Sequence, residues 1–84
     1  MTITSFDNGI PNQFYKQDLT GRLMIFLRYV MCRVKKRELM SRELDKISFM
    51  ANMDNPNNGE VYYDGDLVGY IKLIPATKDF IFKQ

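Results

Sequence analysis

Six basic side chains, Arg22, Arg28, Arg33, Lys35, Lys36 and Arg37, fall in one stretch of sequence that contains no acid. Ammonium and guanidinium groups at this density neutralise phosphates, and an anionic polymer is the ligand they attract. Arg33, Lys35, Lys36, Arg37 and Arg42 also crowd together near the end of the stretch. Tyr29, within it, offers a ring that can lie against a base or a sugar. The cations share the stretch with an apolar run from Leu23 to Cys32 broken only by Arg28, so one element carries both a core stripe and a charged surface.

Other chemistry is sparse. Histidine is absent and there is one cysteine, Cys32, which removes the commonest general base and leaves no ligand set for zinc. Ser5, Ser41 and Ser48 have no base partner that the sequence can nominate. Asp64 and Asp66 flank Gly65, which is turn chemistry rather than a carboxylate pair. Asp54, Asn55, Asn57 and Asn58 lack the ligand spacing and terminal glutamate of a calcium loop. No catalytic residue, metal or cofactor is expected, and the chain reads as a non-enzyme.

The 84 residues suit a single domain, 1–84, near the small end of what folds unaided. A homodimer that hides more apolar surface is expected. One cysteine in an apolar run reads as a buried, inert thiol in a reducing cytoplasm. The start of the chain has neither the basic opening nor the apolar core of a secretory signal, and the apolar run is too short to span a bilayer. Charge is uneven: nine basic against five acidic residues up to Lys46, then three against five. One charged face for a partner follows from that split.

Thr2 to Phe6 alternates weakly and predicts a short edge strand, followed by a turn at Asp7-Asn8-Gly9. Pro11 suits a first helical turn. From Asn12 to Lys36 the helical period places Leu19, Leu23, Phe26, Leu27, Val30 and Val34 within about 100° of arc. A second helix is expected from Ser41, capped by its hydroxyl, with Leu44, Ile47 and Met50 or Ala51 apolar. Asn52 to Gly59 reads as a loop. Glu60 to Ile74 reads as a hairpin about Asp64-Gly65, and Asp79 to Lys83 as a strand with Phe80 and Phe82 on one face. The predicted fold class is α+β, two helices on a three- to four-stranded antiparallel sheet in the order β-α-α-β-β-β.

On a helical wheel the face opposite Leu23 and Val30 holds Arg22, Arg28, Arg33, Lys35 and Lys36, with Ile25, Tyr29 and Cys32 among them. Arg22 and Arg33 align along the axis with a rise of ~16 Å. Spacing also allows Arg42 to pair with Glu38 and Asp45, and Lys46 with Glu43. A plain solvated face is the competing reading, but such a face ordinarily mixes signs. The sheet offers a second surface. With Leu67, Ile71 and Leu73 inward, alternation sends Val68, Tyr70, Lys72 and Ile74 outward. Tyr62, Tyr70 and Lys72 are thus the candidate interface on the sheet, able to stack bases or meet a protein partner, although cover of this face by a helix or a second subunit is the first expectation.

The segment Val61 to Ile71 looks like the central hairpin of GNAT-type acetyltransferases. Nothing like that family's glycine-rich pyrophosphate loop follows, and the chain is half the needed length, so acetyl transfer is set aside. The basic segment Arg33-Val34-Lys35-Lys36-Arg37-Glu38-Leu39-Met40-Ser41-Arg42, in a small histidine-free domain, resembles the accessory proteins of T-even-like phages. Within that group it is similar to RNA-binding inhibitors of the ToxN toxin–antitoxin endoribonuclease. The resemblance rests on size and charge layout. It implies counter-defence in the host cytoplasm, by holding a host nuclease on RNA.

The leading expectation is therefore an RNA-binding and protein-binding factor with little sequence preference. Its RNA contacts are Arg22, Arg28, Arg33, Lys35, Lys36, Arg37, Arg42 and Tyr29. The alternatives are a protein-only inhibitor or adaptor using an apolar, tyrosine-bearing surface, and a small DNA-binding regulator with the second helix as reader.

Overall fold

In the computed structural model, which describes residues 1–7 and 9–84, five strands form one antiparallel sheet. They are β1 (Thr2–Thr4), β2 (Ile47–Ala51), β3 (Asn58–Tyr63), β4 (Asp66–Ile74) and β5 (Asp79–Lys83), in the order β1-β5-β4-β3-β2. Between β1 and β2 run a 3-10 turn (Asn12–Lys16), a long helix α1 (Leu19–Lys35) and a single turn α2 (Ser41–Leu44). The domain is α+β with two helices, and the sheet is wider than the three to four strands expected.

The extra strand comes from the predicted second helix. Ile47 to Ala51 pairs with β3 from Ile47↔Tyr63 to Ala51↔Gly59, so α2 ends at Leu44. Alternation explains the outcome: Ile47 and Phe49 face the core while Ser48 and Met50 face away, a period of two inside what looked helical. Nor does Ser41 cap α2. The Glu43 carboxylate accepts the Met40 N–H at 2.9 Å, and Met40 occupies the cap position. The long helix likewise starts later than Asn12, because Asp18 is extended and its carboxylate accepts the Gly21 N–H at 2.8 Å. The Asp7-Asn8-Gly9 turn includes Asn8, which lies outside the described residues.

The helices pack on one face of the sheet only. Phe26, Leu27, Val30 and Met31 of α1 meet Ile3, Val61, Ile71, Phe80 and Phe82 from the strands, with Phe14 and Leu39 closing the ends. Phe26 stacks on Phe80 with centroids 5.5 Å apart, and Phe14 meets Phe80 edge-on at 6.3 Å. Each such ring contributes about 1.5–3 kcal/mol by leaving water. At one corner the buried Ser5 hydroxyl donates to Asp79 at 3.0 Å and accepts the Phe80 N–H at 2.7 Å. Tyr15 donates to the same Asp79 oxygen at 3.3 Å. The serine that lacked a partner in sequence thus belongs to a packing network.

The β3–β4 hairpin turns at Asp64 and Gly65, both at positive φ (52° and 86°), the pair of conformations a two-residue turn requires. Its register slips beside the turn: Val61 faces Gly69, yet Tyr62 faces Leu67. The bulge reverses the expected orientation of two residues. Leu67 turns outward beside Tyr62 and is 48% exposed, while Val68 packs against the core. Beyond the bulge, Ile71 and Leu73 point inward and Tyr70 and Lys72 outward, as alternation predicts.

Candidate nucleic-acid interface

At 100° per residue, the basic side chains of α1 form two rows rather than one face. Arg22 and Arg33 run along one flank, and Arg28 and Lys35 along the other. Between them lie Ile25, Tyr29 and Cys32, half-buried and packed against the core. Their presence among the cations follows from packing: the Tyr29 ring lies against Gly9, and Gly9, Pro11 and Gln13 border the groove that also holds Ile25 and Cys32. The Cys32 thiol is half-buried rather than enclosed.

Arg22, half-buried, is bonded back onto the fold. Its guanidinium donates to the carbonyls of Gln17 and Tyr15, both at 3.2 Å, and Thr77 at 3.3 Å. It also lies over the rings of Phe14 and Tyr15, 5.4 and 5.3 Å from their centroids. These contacts fasten the 3-10 turn and the β4–β5 connection to the start of α1. Arg37 is neutralised locally by two parallel hydrogen bonds to Glu43, at 2.7 and 2.9 Å. Among the described residues this is the sole ion pair, so the spacing-based pairs of Arg42 with Glu38 and Asp45, and of Lys46 with Glu43, do not form.

Of the remaining cations, Arg33, Lys35 and Lys36 lie at the C-terminal pole of α1, with Arg33 and Lys35 on opposite flanks, and Arg28 lies mid-helix. Arg33 donates to the Tyr29 hydroxyl at 2.7 Å and stands 5.6 Å from that ring's centroid. Lys35 Nζ lies 4.1 Å from the centroid of Tyr63, a cation–π contact that fixes its direction. Lys36 closes the helix in the left-handed conformation, φ 57°, and Arg42 is exposed on α2. Lys46, exposed just ahead of β2, accepts the Asp64 N–H at its carbonyl. Tyr63 escaped sequence reasoning because nothing local to its strand signals a contact with Lys35 of the helix.

Lys36 is where packing and charge can be separated. A left-handed residue after the last helical turn is ordinarily glycine, and any other residue is strained by about 1 kcal/mol. Lys36→Gly should raise the melting temperature by several degrees while weakening any polyanion that touches the pole, read by thermal denaturation beside a binding titration. Acid acts on the opposite side of the junction. The Arg37 guanidinium and the Met40 N–H hold the Glu43 carboxyl down to about 2, below its ordinary 4.5. A carboxylate depressed in the folded state adds stability above the unfolded value and loses it as pH falls through the folded one. The α2 turn should therefore loosen between about pH 4.5 and pH 2, and Glu43→Gln should abolish that loosening when followed by amide exchange at Met40 to Leu44.

The opposite face of the sheet is uncovered. Tyr70 is 54% exposed, Lys72 and Lys83 are exposed beside it, and the Tyr62 hydroxyl donates to Glu60 at 2.6 Å. Among the described residues no three His, Cys, Asp or Glu come together as a metal site, and no helix is long and apolar enough to cross a membrane. No family model matches the chain, and neither the curated proteins nor the solved structures contain a match to it.

Proposed function

We propose that the chain is a non-catalytic RNA-binding protein that contacts phosphates through Arg28 and the pole formed by Arg33, Lys35, Lys36 and Arg42. The observation that carries this reading is the state of those five side chains. All are exposed and none is ion-paired among the described residues, although the chain has ten acids. Arg22 and Arg37 drop to minor roles, since the first is bonded to carbonyls and the second to Glu43. A DNA reader is disfavoured on geometry. The helix it needs is the four-residue α2, too short to lie along a major groove.

A protein partner belongs to the same proposal. Strand β2 is a sheet edge whose five residues, Ile47 to Ala51, include no charge and no proline. Edges are normally shielded by such residues, so this one favours pairing with a second copy or another chain. The resemblance to phage inhibitors of a defence ribonuclease gives the proposal its biological form: the protein would hold a host nuclease on RNA in the host cytoplasm. A protein-only adaptor is the second reading, and the same β2 edge favours it.

Salt separates the two. RNA binding through about four or five phosphates should give a log–log slope near −3, at roughly 0.7 per contact with a single strand. Fluorescence anisotropy with a labelled RNA oligomer between 50 and 300 mM salt measures it, over a range set by about one Debye length. A slope near zero, or no binding at all, overturns the RNA reading.

A further inference from the structure

The cationic pole recognises charge and offers nothing that distinguishes one base from another. The uncovered sheet face is different in kind. A shallow cleft of about 380 Å³ opens there, lined by Asn58, Glu60, Tyr70, Lys72, Ile81 and Lys83. The register arranges these six side chains as a grid. Across β3, β4 and β5, one row is Glu60, Tyr70 and Lys83, and the next is Asn58, Lys72 and Ile81. Tyr70 is thereby the central side chain of its row, with a carboxylate on one side and an ammonium on the other.

Resting on the RNA reading above, we propose that this cleft takes one unpaired base of a single-stranded RNA, stacked on Tyr70. Lys72 and Lys83 meet the flanking phosphates. The argument for this occupant is charge complementarity on both of its parts. Two exposed lysines match the backbone, and Glu60 presents acceptors to the base edge. One Glu60 oxygen already accepts the Tyr62 hydroxyl, which points the carboxylate and leaves its second oxygen for the ligand. Asn58 also lines the cleft, but its carboxamide oxygen is buried, so the acceptor facing the base is the Glu60 carboxylate.

Acceptors select donors. Cytosine and adenine each offer an exocyclic amino group, whereas the uracil edge sets two carbonyls beside its single N–H and repels a carboxylate. The cleft therefore prefers cytosine or adenine to uracil, a discrimination the cationic pole cannot supply.

The test uses the full chain and three labelled ten-nucleotide RNAs, of adenine, cytosine and uracil, at fixed salt. The parent protein should bind the adenine or cytosine strand five- to tenfold more tightly than the uracil strand. Tyr70→Ala, a change at an exposed ring, should weaken all three strands by at least fivefold, since base–aromatic stacking contributes about 1–3 kcal/mol per base. Glu60→Gln, which can donate as well as accept, should remove the preference without removing binding. Circular dichroism checks that each variant folds. If all three strands bind equally and Tyr70→Ala changes nothing, the cleft proposal is wrong and the cationic pole stands alone. If no strand binds the parent, the RNA reading itself fails. If Tyr70→Ala alters only the sedimenting mass, the face is a contact between copies and the proposal is overturned.

Discussion

Replacing Gly69 with valine should lower the melting temperature by more than about 12 °C, or leave no folded protein to measure. Gly69 is buried in the middle of β4, where β3 and β5 close on it from both sides. A Cβ built there would lie 2.5 Å from the Lys83 carbonyl oxygen and 2.6 Å from two carbons of the Phe82 ring. A ring at a surface would swing aside, but Phe82 is fully buried. The carbonyl cannot retreat without parting β5 from β4 at Tyr70↔Lys83 and from β1 at Thr2↔Lys83. Overpacking of this kind costs about 3 kcal/mol. For 84 residues that is a large share of the whole stability, and each kcal/mol lost lowers the midpoint by about 4–8 °C. Gly65→Ala is the control. Nothing lies within 4 Å of its would-be Cβ, so its cost is limited to the left-handed backbone, about 1 kcal/mol. Calorimetry on the pair decides the matter, and similar midpoints would show that the β4–β5 ladder yields more easily than argued.

The second large effect concerns binding. Arg33→Glu combined with Lys36→Glu should reduce RNA affinity about 100-fold at 0.1 M salt and flatten the log–log slope by about 1.4, two contacts at roughly 0.7 each. Both side chains are exposed at the end of α1, where nothing encloses a carboxylate. Two acids at a helix C-terminus oppose its dipole by about 0.3–1 kcal/mol each, so a modest fall in stability is expected and must be measured alongside. The glutamine pair Arg33→Gln and Lys36→Gln avoids that penalty and should still weaken binding about tenfold. An unchanged titration for both pairs would mean that the pole is merely solvated.

How legible this molecule was depended on distance along the chain. The Asp64-Gly65 hairpin and the Phe80/Phe82 alternation are local signals and appear where expected, whereas the loop expected from Asn52 to Gly59 ends earlier, because Asn58 and Gly59 already pair in β3. The core stripe of α1 was also legible, since Phe26, Leu27 and Val30 repeat at the helical period. Strand β2 was not, because Leu44, Ile47, Met50 and Ala51 fit a helix as well as a strand. Only pairing with β3, a contact no local pattern encodes, settles which forms. The site suffered the same blindness. A wheel assigns directions but cannot show that Arg22 folds back onto three carbonyls, or that the 3-10 turn brings Gly9 to Tyr29. Tyr63 under Lys35 joins strand to helix across 28 positions of sequence and leaves no trace in either segment.

The bulge beside the hairpin has a consequence for how the chain tolerates change. It divides β4 into two parts with opposite phase, Asp66-Leu67 ahead of it and Gly69 to Ile74 behind. Solvent sees Leu67, and the core sees Val68. Deleting Val68 would merge the phases into one regular ladder with Tyr62 still opposite Leu67, so the hairpin tip keeps its orientation and the cleft around Tyr70 and the helix layer stay in place. The tip is thus a separately adjustable module on a fixed body, able to drift in length and composition while the grid around Tyr70 keeps its spacing.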